Sequence, residues 1–408
     1  MKNLIIYSVA ALALLQGCKS SNSKAESSPE TTKVESNSNT HDYKRTPPGG
    51  LAVKNVPQFI VIGADDCGDA EMVRWIMNYV NSKTNPKGSG NKATFDGLPI
   101  KMSFYVNGKY SEDAGAAWKE AYLAGNEIGN HTYSHFLDSS DESIDARLLG
   151  REPWAKEIAQ NDTAIINATG ISKDEIVGFR VPRLEFNREA FLAMTDRGFL
   201  YECSIEEGGE DGMDGTNNYW PYTLDNGSQA DSLQTSESVG ENDWGYKEVG
   251  KIANLWELPV YNFVVPADSL SGSYSFDKGL RSRVHNSFDY FDTATGFITG
   301  FDYNIFAPAN WDGAAMKANE YLATLKHSLD LHLKGNRAPF TYGMHPDFYA
   351  KEANEDYKSA GDHLSRRKVV QDFIDYALTK PNVRFVTSKQ LIDWMINPIG
   401  LDGTKGAN

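Results

Sequence analysis

Residues 59–81 read FIVIGADDCGDAEMVRWIMNYVN: a β-branched apolar run, a polar turn, then apolar residues at helical spacing. That order predicts a strand over 59–63 and a helix over 69–81, the first βα unit of the chain. The same alternation recurs on the C-terminal side. Strands are expected at 100–106, 127–130, 176–180, 199–204, 255–260, 340–344 and 383–386, with helices at 114–124, 154–167, 187–197, 314–333 and 366–378. Repeated βα order predicts an α/β fold with a parallel sheet, and seven or eight strands in about 350 residues favour closure into a (β/α)7–8 barrel. No internal repeat or Gly/Ser linker is visible after residue 50, so a single domain is expected over 51–400, with a short tail at 401–408. Residues 206–250 break the rhythm, being rich in Gly, Asp, Asn and Ser around Trp220 and Trp244, and are expected to form a substrate-side flap.

In a parallel barrel the carboxyl ends of the strands share one rim, where active sites of such folds lie. Asp65 and Asp66 follow the first expected strand, His131 and His135 of NHTYSH the third, and His345 the seventh; Arg180 ends the fourth and Glu202 the fifth. The chain holds only eight histidines, and a spacing of four puts two of them on one helical face or one turn. Two imidazoles and a carboxylate make a three-ligand set with positions left open for water and substrate, as in catalytic rather than structural zinc sites. Asp66, His131 and His135 are the expected ligands. Asp65 is placed to take a proton as general base, and Arg180 to keep it ionised and oriented. His345 is expected to protonate a departing group, with Glu202 holding it protonated. Metal, base and acid together describe hydrolysis of an acyl group.

These segments resemble those of the polysaccharide deacetylases, also called carbohydrate esterase family four or the NodB-homology domain. ADDCG matches the first motif at Asp65 and Asp66, HTYSH the second, FRVPRLEFN the third at Arg180 and Pro182, and YGMHPDFY the fifth at His345. GFLYECSI, WPYTLD, LWELPV, NRAPF and NVRFVTSKQLIDWM resemble, in the same order, segments of the chitin deacetylase branch, so the similarity covers residues 57–398. The resemblance implies a distorted barrel, one divalent metal (usually zinc), and removal of acetyl groups from N-acetylglucosamine units of chitin-type poly- or oligosaccharides. It also implies that Trp220 is an apolar wall for a sugar ring or acetyl methyl, a core role being the alternative, and that Pro182 lies on the substrate side. An O-acetyl carbohydrate esterase would share every catalytic part. A catalytically silent carbohydrate-binding lipoprotein would show loss of the base or a ligand, and both are present.

The chain departs from the family pattern in four places. Gly63 and Ala64 precede the aspartate pair, and Cys67 follows it. Glu202 stands where the fourth motif offers an Asp. Gly343 replaces a larger residue before His345, which implies a roomier acetyl pocket. Cys67 and Cys203, on the same expected rim, either form a disulfide bracing the site or remain two buried thiols.

At the N-terminus, Lys2, the apolar run 4–15 and Gly17 before Cys18 read as a secretory signal over 1–17, too short to span a bilayer. The junction resembles a bacterial lipobox, which implies acylation of Cys18; an ordinary cleaved signal is the alternative. Residues 18–50 are polar, end in TPPGG, and are expected to be a flexible tether spanning on the order of 30 Å. A monomeric lipoprotein, periplasmic or on the cell surface and held to the membrane by its lipid alone, is therefore expected. The net charge of −15 becomes −16 once Lys2 leaves with the signal. That balance argues against nucleic acid and polyanionic substrates and is compatible with a neutral or cationic sugar.

Overall fold

Gln58–Asp66 forms β1, buried along all but its last residue. A strand covered on both faces reads as a continuous apolar run, which is why FIVIG marks it so clearly. The computed structural model describes residues 41–136, 146, 149–229, 249–287, 291–311 and 313–407. The expected signal, Cys18, residues 18–40 of the expected tether and Trp244 lie outside the described residues.

From β1 the chain runs through α1 (Ala70–Asn81), β2 (Ser103–Val106), α2 (Ser111–Leu123), β3 (Glu127–Asn130), α3 (Arg151–Thr169), β4 (Gly178–Phe179), α4 (Arg188–Arg197) and β5 (Tyr201–Glu202). Six two-residue strands follow: β6 (Glu206–Glu207), β7 (Tyr222–Thr223), β8 (Trp256–Glu257), β9 (Val260–Tyr261), β10 (Phe263–Val264) and β11 (Phe297–Ile298). The chain then forms α5 (Ala318–Lys334), β12 (Phe340–Met344), α6 (His363–Leu378), β13 (Val383–Phe385) and α7 (Ser388–Ile396). Asp69 caps α1, its carboxylate accepting from the amides of Glu71 and Met72, and the helix buries Val73, Ile76, Met77 and Val80 at helical spacing.

The principal sheet runs β12-β1-β2-β3-β4-β5-β8-β7, with β13 also paired to β1. Its pairings are parallel except β7 with β8. The sheet curls into a distorted barrel, the α/β architecture that the βα order predicts. Near β12 a side chain substitutes for ladder bonds: the Thr341 hydroxyl accepts from the Tyr261 amide at 3.1 Å and donates to the Pro259 carbonyl at 3.0 Å. Alternation splits β1 between two cores. Ile60, Ile62 and Ala64 pack outward with the helices, whereas Phe59 and Val61 face inward with Tyr105, Tyr201 and Trp256 above Trp394 of α7. Among the described residues no helix is long and apolar enough to cross a membrane.

Two terminal stretches differ from expectation. Residues 41–50, expected as the end of a tether, lie against the β7 edge: the Thr223 amide donates to the His41 carbonyl at 2.7 Å, and that of Trp220 to Lys44 at 2.9 Å. An edge strand exposes unpaired amides, and this segment satisfies two of them. Residues 401–407, expected as a tail, fold back onto residues 49–55 through Leu401 N to Asn55 O at 2.6 Å and Ala407 N to Gly49 O at 2.9 Å.

Candidate metal centre and catalytic groups

At the end of β1 alternation turns Asp65 inward with Phe59 and Val61. Asp66 and Cys67 then adopt left-handed backbone, with φ of 64° and 57°. Such conformations are disfavoured for residues with a Cβ and concentrate at functional sites. Beyond β3, residues 131–136 form a turn rather than a helix, with Thr132, His135 and Phe136 also at positive φ. Short polar bonds hold it: Asn107 donates to the carbonyls of His131 and Thr132, the Asn130 side chain accepts from the Thr132 amide at 2.9 Å, and the Thr132 hydroxyl accepts from the His135 amide at 3.2 Å.

These two turns bring together Asp66, His131 and His135. The Asp66 Oδ1 lies 3.6 Å from His131 Nε2 and 3.4 Å from His135 Nε2, and one donor atom from each of the three residues lies within 4.8 Å of the others. The His131 Nδ1 donates to the Arg180 carbonyl at 2.8 Å. A carbonyl only accepts, so that bond fixes the tautomer and leaves the Nε2 lone pair facing Asp66. Burial lowers the pKa of His131 to about 3 and that of His135 to about 4, so both rings are neutral near pH 7. Burial acts to raise Asp66, but the neighbouring His135, His345 and His131, in their protonated forms, outweigh it and the carboxyl is held below its ordinary value. The Asp66 Oδ1 is buried without a hydrogen-bond donor. Neutral imidazole nitrogens converging on an orphaned carboxylate oxygen fit a divalent cation.

Two groups flank this cluster. Asp65 is 3% exposed and receives Arg180 Nη1 at 3.3 Å. Burial raises it to about 6, with Arg180 and His345 opposing in part, so most of it is ionised at neutral pH. Past the end of β12, His345 Nδ1 lies 2.8 Å from Asp302 Oδ1, and its backbone amide donates to Asp302 Oδ2 at 2.8 Å. Burial pulls the imidazole down, but the Asp302 carboxylate outweighs it and lifts His345 to about 9. A base and an imidazolium therefore stand beside one potential cation site, a combination suited to adding water to an acyl carbon and protonating the group that leaves.

The expected roles of Glu202 and Trp220 require correction, and the two cysteines take the second of the readings open to them. Glu202 does not hold His345; Asp302 does. On β5 the flanking Tyr201 and Cys203 belong to the inner core, so Glu202 points to the outer face, where burial raises it to about 8 and keeps it a neutral acid. Trp220 is no substrate wall: it is 2% exposed and packs on Trp394, 6.0 Å between rings, which in turn packs on Phe59 at the start of β1, the end of the barrel remote from Asp65. Cys67 and Cys203 are free thiols. They sit on opposite sides of the sheet, Cys67 in the outer core and Cys203 in the inner one.

Pro182 also presents no substrate surface, being buried at the first position of a 3-10 turn. The room expected at Gly343 is occupied, since a Cβ there would overlap the Phe301 ring. Sequence reasoning missed Asp302, Phe301 and Asn107. No periodicity marks GFDYN, and Asp302 reaches His345 across 43 residues; Asn107, directly after a legible strand, could have been read as a strand-end polar residue.

Fold and site together define an α/β distorted barrel with a candidate Asp/His/His metal centre. Residues 93–201 match the family model for polysaccharide deacetylases. The chain is 23% identical to chitin deacetylase 8 of Bombyx mori over 363 residues, covering 87% of this chain and 74% of that relative. With chitin deacetylase 1 of the same species it shares 30% identity over 163 residues, 39% of this chain and 27% of that one. A solved Mycobacterium smegmatis structure described as a polysaccharide deacetylase aligns over 87% of this chain and 95% of that chain, at 16% identity and a TM-score of 0.44. Part of the chain, residues 93–201, is therefore similar to polysaccharide deacetylases, and chitin deacetylases are among the proteins it resembles over a longer stretch.

Proposed function

We propose that this protein removes N-acetyl groups from N-acetylglucosamine-containing poly- or oligosaccharides of the chitin type, using one divalent ion, zinc by the donor set. The observation that carries the proposal is the placement of an ionised Asp65 and a protonated His345 beside the Asp66, His131 and His135 cluster. When bound by those three residues, the ion supplies Lewis acidity that activates water and polarises the acyl oxygen. Asp65 accepts the proton of the attacking water through its free Oδ1, while Arg180 occupies Oδ2 and keeps the carboxylate aimed. His345 donates its Nε2 proton to the amide nitrogen as the C–N bond breaks, so acetate and a free amine leave. Asp302 holds Nδ1 and the backbone amide of His345, which fixes the ring and maintains its charge. Acylation of Cys18 as a membrane tether belongs to the same proposal, and a Cys18→Ala protein leaving the membrane fraction is its expected consequence.

The test is acetate release from chito-oligosaccharides before and after chelation. Activity lost to the chelator and restored by zinc supports the proposal. Release indifferent to chelation, or none from the zinc-loaded protein, overturns it.

A further inference from the structure

The Arg180 guanidinium is buried, the residue being 5% exposed, and it has more than one reason to stay where it is. Its Nε donates to Cys203 Sγ at 3.1 Å and its Nη1 to Asp65 at 3.3 Å. Its central carbon lies 4.8 Å from the Tyr105 ring centroid and 5.0 Å from that of Phe301. The Phe301 ring is also 5.8 Å from the His345 ring, tilted by 47°. Phe301 thus touches the cation that serves the base and the cation that serves as acid.

The backbone is built to admit this ring. Phe301 is bridged in parallel to Gly343, and the Gly343 amide donates to the Gly300 carbonyl at 2.9 Å. Any Cβ at 343 would overlap three carbons of the Phe301 ring. The next residue, Asp302, is the partner of His345. One tripeptide, 300–302, therefore reaches both sides of the reaction centre.

We propose that Phe301 is a positioning residue: its ring, admitted by Gly343, clamps the Arg180 guanidinium beside Asp65 and spaces it from the His345 imidazole. An aromatic face attracts a guanidinium by its quadrupole, and the attraction is strongest where both are desolvated. The ring also excludes water from between two cations that would otherwise share a hydrated space. Without it, Arg180 retains Cys203 and Tyr105 but loses the surface that fixes the plane of its fork, and the carboxylate it serves turns away from the attacking water. The role in turnover rests on the deacetylase reading; the role in holding Arg180 does not.

The test uses zinc-loaded protein carrying Phe301→Leu, Gly343→Ala, or both. Phe301→Leu is expected to lower kcat on a short chito-oligosaccharide by about ten- to a hundred-fold, the scale of a misplaced catalytic group, with KM and zinc content unchanged. Gly343→Ala displaces the same ring and should give a similar loss, and the double variant should lose no more than either single one. Additive losses, or a loss confined to KM, would overturn the positioning role. A crystal structure of Phe301→Leu gives a second measure independent of turnover: Arg180 is expected in more than one conformer or withdrawn from Asp65. An Arg180 unmoved in that variant refutes the proposal even if the wild-type protein releases no acetate, the outcome that would instead refute the deacetylase reading.

Discussion

Asp65 and Asp66 are adjacent and chemically identical, yet the chain gives them different tasks by a change in backbone. Asp65 ends an inward row and meets Arg180, whereas Asp66 takes a left-handed φ of 64° and meets two imidazoles. Asp66→Ala is therefore expected to lose the metal. Asp65→Asn should keep it and lose turnover by about a hundred- to ten-thousand-fold, the usual range for a general base. Elemental analysis beside acetate release checks both, and equal metal loss in the two variants would contradict the division of labour. The ligands were legible because each lies in a short motif, an aspartate pair or a spaced histidine pair, at the end of a readable strand. Asp302 was not, because its role comes from a tertiary contact with no local pattern. Glu202 was misread for a related reason: ending a strand puts a residue on the rim, but the parity of its position decides which face it serves, and β5 puts Tyr201 and Cys203 inside instead.

The strands below the rim owe their close spacing to glycines that face inward. A Cβ at Gly129 of β3 would come within 2.6 Å of the Tyr105 ring, and one at Gly178 of β4 would overlap the Tyr201 hydroxyl. The space holds a buried polar column in which the Tyr201 hydroxyl donates to Glu127 at 2.7 Å and lies 3.0 Å from that of Tyr105, while Tyr105 also meets Ser388 of α7 at 2.7 Å. Gly178→Ala is expected to expel Tyr201 from this column and destabilise the fold by about 1–3 kcal/mol, as overpacking does. A thermal midpoint equal to that of the wild type would show that the column yields without cost. A continuous β-branched run made β1 easy to place, and the aromatic stretch FTYGM did the same for β12. Of the two-residue strands β6 to β11, β8 falls within the expected 255–260, whereas β6, β7, β10 and β11 were harder, since so short a pairing leaves no periodicity and depends on what lies beside it. Trp220 was misplaced on the same account, because its strand neighbours and Trp394 alone decide which end of the barrel it fills.

Across the molecule, long-range polar contacts tie together what the βα order merely lines up. Arg384 on β13 and Asp96 between α1 and β2 form a fully buried pair, with Nη2 to Oδ1 at 2.6 Å and Nε to the same oxygen at 3.0 Å. Burial acts to raise the Asp96 carboxyl, but bonds from Arg384 and Thr94 outweigh it and hold the group below its ordinary value. A carboxyl depressed on folding stabilises the protein above its unfolded pKa, about 3.9, and that stability is lost as pH falls through the folded value. Asp96→Asn should therefore cost about 3–5 kcal/mol at neutral pH by stranding a buried cation, and should flatten the acid limb of the stability curve. Denaturant titrations at neutral pH and near pH 3 check both effects, and an unchanged acid limb would argue against the pair. The order of strands and helices was readable because each unit is local. The docking of residues 41–50 on the β7 edge and of 401–407 on residues 49–55 was not, since polar composition alone does not reveal an edge waiting to be covered. All of this architecture converges on one point beside Asp66. Anomalous diffraction at the zinc edge from zinc-loaded crystals locates that point most directly. The account predicts one peak at about 2.0–2.2 Å from an Asp66 oxygen and from Nε2 of both His131 and His135, and a peak elsewhere, or none there, would contradict it.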